Sequence, residues 1–128
     1  MKELTRAEEQ VMQILWDLEK GFVKEIRAKM PEPKPAYNTV STIVRILEKK
    51  GFVFHYVFGN THQYYPLISK KEYSKNRVSS MVKDYFKNSY SELVSFFARD
   101  KEISAKEMEE IIEIMNQELK NKNKDNND

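Results

Sequence analysis

The sequence predicts a mainly α protein, with three helices and a β-hairpin in its first half and helices alone in its second. Three observations carry this reading. Apolar residues recur at three- and four-residue spacing over residues 7–18, 23–30 and 37–47, the period of a helix with one buried face. From Phe52 the pattern changes to FVFHYVF and THQYYP, aromatic and β-branched runs on either side of the turn pair Gly59-Asn60. After Pro66 the helical spacing returns and continues to about Lys120.

Thr5 and Glu8 form a capping-box pattern, in which hydroxyl and carboxylate each satisfy an orphan backbone amide, so a helix is expected to begin there. Its stripe is Ala7, Val11, Ile14, Leu15 and Leu18, widened by Met12 and Trp16, and Gly21 is expected to supply the left-handed residue at its end. The second helix, residues 23–30, presents Val23, Ile26 and Met30 before PEPKP stops it, because prolines remove amide donors and clash with the preceding turn. The third, PAYNTVSTIVRILEKKG, places Tyr37, Val40, Ile43, Val44 and Leu47 on a buried stripe and ends at Gly51. With Gly59 and Asn60 as the turn, Val57 faces His62, His55 faces Tyr64 and Val53 faces Pro66 on one side of the ribbon. Phe54, Tyr56, Phe58 and Tyr65 take the other side. Three helices followed by a two-stranded ribbon is the layout of a winged helix-turn-helix DNA-binding domain, expected over residues 1–68, with the third helix as its reading element.

The second half reads as a helical dimerisation domain, residues 69–120, followed by a disordered polar tail, residues 121–128. Ser104 with Glu107 is a second capping box, and Ile103 with Met108 takes the positions of a hydrophobic staple. Short helices bearing Tyr85 and Phe86, then Leu93 and Phe97, then Met108, Ile111, Ile112 and Met115 carry more apolar surface than about 50 residues can bury by themselves. These eight residues are therefore the expected contacts with a second copy.

The remaining face of the third helix raises the functional question. It carries Asn38, Thr39, Ser41, Thr42 and Arg45 and no carboxylate, whereas a merely solvated face tends to alternate Glu and Lys at four-residue spacing. Asn pairs bidentately with adenine, Arg with guanine, and a Thr methyl packs on that of thymine, so these five side chains are the expected contacts to base edges. Lys24, Arg27 and Lys49 are placed for phosphates, with Asn60 and His62 on the wing. The competing reading is a winged-helix protein-protein interaction module that uses the aromatic ribbon face.

Composition narrows the classes further. A net charge of +2 does not announce nucleic acid, so any basic patch must be local; residues 1 to 66 hold ten Lys and Arg against eight Asp and Glu. The absence of cysteine excludes disulfides and thiolate metal sites and fits a reducing cytoplasm, where the chain is expected to act. No apolar run reaches the roughly 20 residues needed to cross a bilayer, and MKELTRAEEQ is unlike a secretory signal, so no direct membrane insertion is expected. The register sets His55 and His62 diagonally, about 7 to 8 Å apart, but two ligands without a third His, Cys or well-placed carboxylate do not make a zinc site. No metal and no cofactor are expected. Nor is an enzyme: there is no nucleophile with a base, no paired carboxylates and no phosphate-cradling glycine loop.

LTRAEEQVMQILW in the first helix, NTVSTIVRILEKKG in the third, QYYPLI closing the hairpin, and LVSFFARD with EISAKEMEEI in the tail resemble the BlaI/MecI penicillinase repressors. The resemblance covers nearly the whole chain. It implies a homodimer that binds double-stranded, two-fold symmetric operator DNA through its third helices and represses transcription. It also implies release by cleavage once a membrane sensor metalloprotease signals, and the family's cleavage bond, commonly Asn-Phe, maps onto Ser95-Phe96. Asn38 stands where relatives often carry Lys, and the wing GNTH offers one basic side chain, His62.

Overall fold

The computed structural model describes residues 1–126. In chain order these form α1 (Arg6–Leu18), β1 (Gly21–Phe22), α2 (Val23–Ala28), α3 (Tyr37–Lys49), β2 (Val53–Phe58), β3 (Thr61–Pro66), α4 (Lys70–Tyr85), α5 (Tyr90–Arg99) and α6 (Ala105–Asn126). The chain divides into two compact units, the first Met1–Arg77 and the second beginning at Val78.

The first unit is built around one core. Val11, Met12 and Leu15 of α1, Ile26 of α2 and Val40, Val44 and Leu47 of α3 are fully buried, and Phe52, Val53 and Tyr64 close the cluster from the sheet side. The capping box starts α1: Thr5 Oγ1 accepts the Glu8 amide and Glu8 Oε1 accepts the Thr5 amide. The hairpin has the register expected from its turn, Val57 opposite His62, His55 opposite Tyr64 and Val53 opposite Pro66. Gly59 has φ 58°, a conformation glycine adopts without steric cost.

Several sequence expectations are corrected. Gly21 does not end α1; Glu19 takes the positive φ of 70°, and Gly21 opens a third strand that pairs with β3 opposite Tyr64. The sheet order is therefore β1-β3-β2. A Cβ on Gly21 would lie 3.3 Å from Leu18 Cδ1, so the glycine permits close packing rather than a helix cap. Ala7 is exposed and Glu8, one position on, is buried, because Lys50 reaches Glu8 from the end of α3 and compensates its charge. Tyr37 is 51% exposed and belongs to the outer face of α3, not to the buried stripe. It occupies the first turn, where the helix has only begun to enter the core.

The α4 helix begins inside the first unit. Tyr73 joins its core, its ring tilted by 40° against Trp16 at 5.5 Å and edge-on at 6.0 Å to Phe52, while Trp16 Nε1 donates to the Ile68 carbonyl at 2.8 Å. In the second unit, Ser89 and Ser104 accept amides of Glu92 and Glu107 at the starts of α5 and α6. Ile103 and Met108 are both half-buried. The α6 helix runs through Asn126, so residues 121–126 are helical and not the disordered tail expected; residues 127–128 of that expectation lie outside the described residues.

Candidate nucleic-acid interface

The α2–α3 corner is fixed by side chains bonded to backbone. Arg27 Nε donates to the Pro35 carbonyl at 2.7 Å, and Lys34 Nζ caps the end of α2 through the carbonyls of Ala28 (2.9 Å) and Met30 (2.7 Å). Arg27, nominated for phosphate, thus also holds the turn that orients α3. At the other end, Lys50 Nζ lies against both Glu8 carboxylate oxygens and 3.1 Å from the Glu3 carbonyl. Burial alone would raise the Glu8 carboxyl; the hydrogen bonds from Lys50 and Thr5 and the Lys50 charge outweigh it and leave the group below the ordinary carboxylate range. The α3 helix is therefore tied down at both termini.

Between those ties its outer face is open. Asn38, Thr39, Thr42 and Arg45 are exposed and Ser41 is half-buried. Three of these side chains are engaged along their own helix: Thr42 Oγ1 donates to the Asn38 carbonyl at 2.9 Å, and Arg45 approaches the Ser41 carbonyl at 3.3 Å and the Ser41 hydroxyl at 3.4 Å. Such exposed local bonds are exchanged for partner atoms at little cost. No side chain caps the start of α3; the Thr39 amide donates to the Ala36 carbonyl at 3.0 Å, and the amides of Tyr37 and Asn38 ahead of it can donate to an anion.

A cleft of about 460 Å³ separates the start of α3 from the wing. Lys24, Tyr37, Ser41, Asn60 and His62 line it, so three elements bring together four of the nominated residues. Lys49, at the opposite end of α3, and Arg27 do not line it. Tyr64 forms part of its floor, its hydroxyl pushed up first by burial and then by the nearby Glu48 charge.

The histidines are closer than the register alone suggested. Their rings are parallel within 6°, with centroids 4.0 Å apart, because both side chains lean toward each other across the pair of strands. The carboxylate that seemed missing is also present: Glu48 of α3 meets His55 Nδ1. The next-to-last residue of a helix and a residue on the following strand are brought together by the tight Lys50-Gly51 corner, which spacing along the chain does not reveal. Among the described residues no group of three His, Asp or Glu side chains is arranged to hold a metal. On the opposite ribbon face Phe54 and Tyr56 are 49% and 53% exposed, with Tyr65 stacked against Tyr56 at 4.7 Å.

Three helices closed by a short antiparallel sheet, with one polar helix face and a hairpin left open, define a winged helix-turn-helix domain. Residues 4–117 match the penicillinase repressor family, and the chain belongs to that family. Its relatives include the methicillin resistance regulatory protein MecI of Staphylococcus aureus strain N315, 26% identical over 115 residues that span 89% of this chain and 94% of MecI. The penicillinase repressor of Bacillus licheniformis is 23% identical over 124 residues, 96% of each chain. Among solved structures, the DNA binding domain of the repressor BlaI is 26% identical, with a TM-score of 0.49 over 57% of this chain and 94% of that one.

Proposed function

We propose that the chain is a sequence-specific, DNA-binding transcriptional repressor that works as a homodimer on a two-fold symmetric operator. The observation that carries this reading is the outer face of α3: a run of amide, hydroxyl and guanidinium groups projecting from a helix whose other face is locked into the core. Asn38, Thr39, Ser41, Thr42 and Arg45 contact base edges. Lys24, Lys49, Asn60, His62 and Arg27 position the phosphate backbone.

Dimerisation is assigned to the second unit. Val82 is the one buried side chain of that unit among the described residues, while Tyr85 is 78% exposed and Phe97, Ile112 and Met115 are exposed with it. Phe86, Leu93, Met108 and Ile111 are half-buried. A second copy covering these groups removes from water an apolar surface that the unit cannot cover itself. Release follows cleavage at Ser95-Phe96, which lies within α5, so that helix must open for a membrane sensor metalloprotease to act.

The test is a mobility shift with a duplex from the chain's own promoter, with and without random competitor DNA. A retarded, competitor-resistant complex of two chains per duplex is expected. Equal loss to random DNA would overturn sequence-specific repression. Immunoblotting of cells treated with a β-lactam tests release: induction of target genes while the chain stays intact excludes cleavage.

A further inference from the structure

The chain has two histidines, and the fold stacks them on each other. From the reading helix outward run the Glu48 carboxylate, the His55 ring bound to it through Nδ1, and the His62 ring parallel to His55 at 4.0 Å. His55 is largely covered, whereas His62 is exposed and lines the cleft between α3 and the wing. We propose that Glu48 and His55 are positioning residues for His62, and that binding of a DNA phosphate in the cleft is coupled to protonation of this histidine pair. The inference rests on the reading of α3 and the wing as a DNA-binding surface.

Two stacked imidazolium rings repel each other at this distance, so two protons on the pair require two compensating anions. Glu48, against His55 Nδ1, is placed to compensate one such charge. A phosphate oxygen in the cleft compensates the other at His62. Neighbouring groups do not mask the effect. From α3, Arg45 and Glu48 both act on Tyr64, whose ring lies 5.6 Å from His55 and 6.1 Å from His62. From α2, Lys24 and Glu25 line the cleft with His62, and Glu25 is held by accepting the Phe22 amide at 2.9 Å. Tyr64, pushed above its ordinary value by burial, stays neutral near pH 7. If protons are taken up on binding, affinity must fall as pH rises.

Fluorescence anisotropy with a labelled random duplex at fixed ionic strength tests this, because a phosphate contact does not depend on sequence. From about pH 6 to pH 8 the affinity of the native chain is expected to fall on the order of tenfold, the scale set by one proton. His62→Gln should lose that slope, and His62→Lys should bind well with a flat profile. Glu48→Gln, shown to be folded by its thermal melt, should move the midpoint of the slope to higher pH, because His55 without its carboxylate partner holds a proton less readily and repels one on His62 less. A flat profile for the native chain, or a native slope in His62→Gln, overturns the coupling. An unmoved midpoint in Glu48→Gln overturns the positioning role. A chain that binds no duplex at any pH overturns the DNA reading and this proposal together, whereas pH-independent binding overturns the proposal alone.

Discussion

The Tyr73 hydroxyl donates a 2.8 Å hydrogen bond to Glu9 Oε2, joining the first turns of α4 to α1 across 64 residues of sequence. The bond seals a corner already packed by Trp16 and Phe52, so the start of α4 is structurally part of the winged-helix unit. A fragment covering residues 1–77 should therefore unfold in one cooperative transition. Ending at residue 68 removes Tyr73, and by analogy with deleting a large core aromatic it should cost roughly 3 to 5 kcal/mol. Urea unfolding of the two fragments measures the difference.

Tyr73 also has a pH signature. Burial and the hydrogen bond to Glu9 push its hydroxyl up to about 12 from an ordinary 10. The unfolded chain then loses this proton first, so the contribution to stability is complete below pH 10 and is lost as pH rises toward 12. Tyr73→Phe should be less stable at neutral pH by about 1 kcal/mol for the hydrogen bond. It should also show a shallower alkaline decline than the native chain in thermal melts.

Glu8 gives the opposite sign. Its carboxyl is depressed in the folded state, so the stability it contributes is present above the unfolded value of 4.5 and is lost as pH falls through the lower folded value. Lys50→Met leaves the buried carboxylate uncompensated and should destabilise the unit by roughly 1 to 3 kcal/mol at neutral pH. The deficit should shrink on acidification below that range, because a protonated Glu8 no longer needs the ammonium. Denaturation midpoints of native and variant chains across the acid range check both statements.

The second unit predicts its own assembly state. Sedimentation at tens of micromolar should give a dimer, and Ile112→Asp with Met115→Asp should give a folded monomer, since exposed side chains contribute little to the fold of one copy. A native chain that sediments as a folded monomer would remove the proposed interface.

Where one face of an element meets one core, the fold was legible in the sequence. Val40, Val44 and Leu47 sit on a helical period, the Gly59-Asn60 turn fixes a hairpin register, and the Thr5–Glu8 box marks a helix start. What stayed hidden depends on contacts between distant residues or between one element's end and another's side. The two-residue strand at Gly21 carries no alternation to detect; it exists because β3 offers it an edge. Glu8 was legible as the capping-box partner of Thr5, but its burial beside Lys50, 42 residues away, was not. The same holds for Glu48 and His55. The base-reading candidates were legible as residue types, while the cleft that joins Ser41 alone of them to Lys24, Asn60 and His62 was not, since that requires the angle between α3 and the hairpin.

The face of α3 tests the central claim most directly, through the affinity of folded variants for operator and random duplexes across salt. Val44→Ala and Leu47→Ala serve as core controls and should destabilise the fold by roughly 2 to 4 kcal/mol. Arg45→Ala and Thr42→Ala should melt like the parent, yet each should lose about 1 to 3 kcal/mol of operator binding with little change on random DNA. Lys49→Ala should weaken both alike and reduce the salt slope by about one unit. If folded Arg45→Ala and Thr42→Ala dimers bind the operator as tightly as the parent at every salt concentration, α3 is not the reader, and the ribbon face of Phe54, Tyr56 and Phe58 becomes the surface to explain.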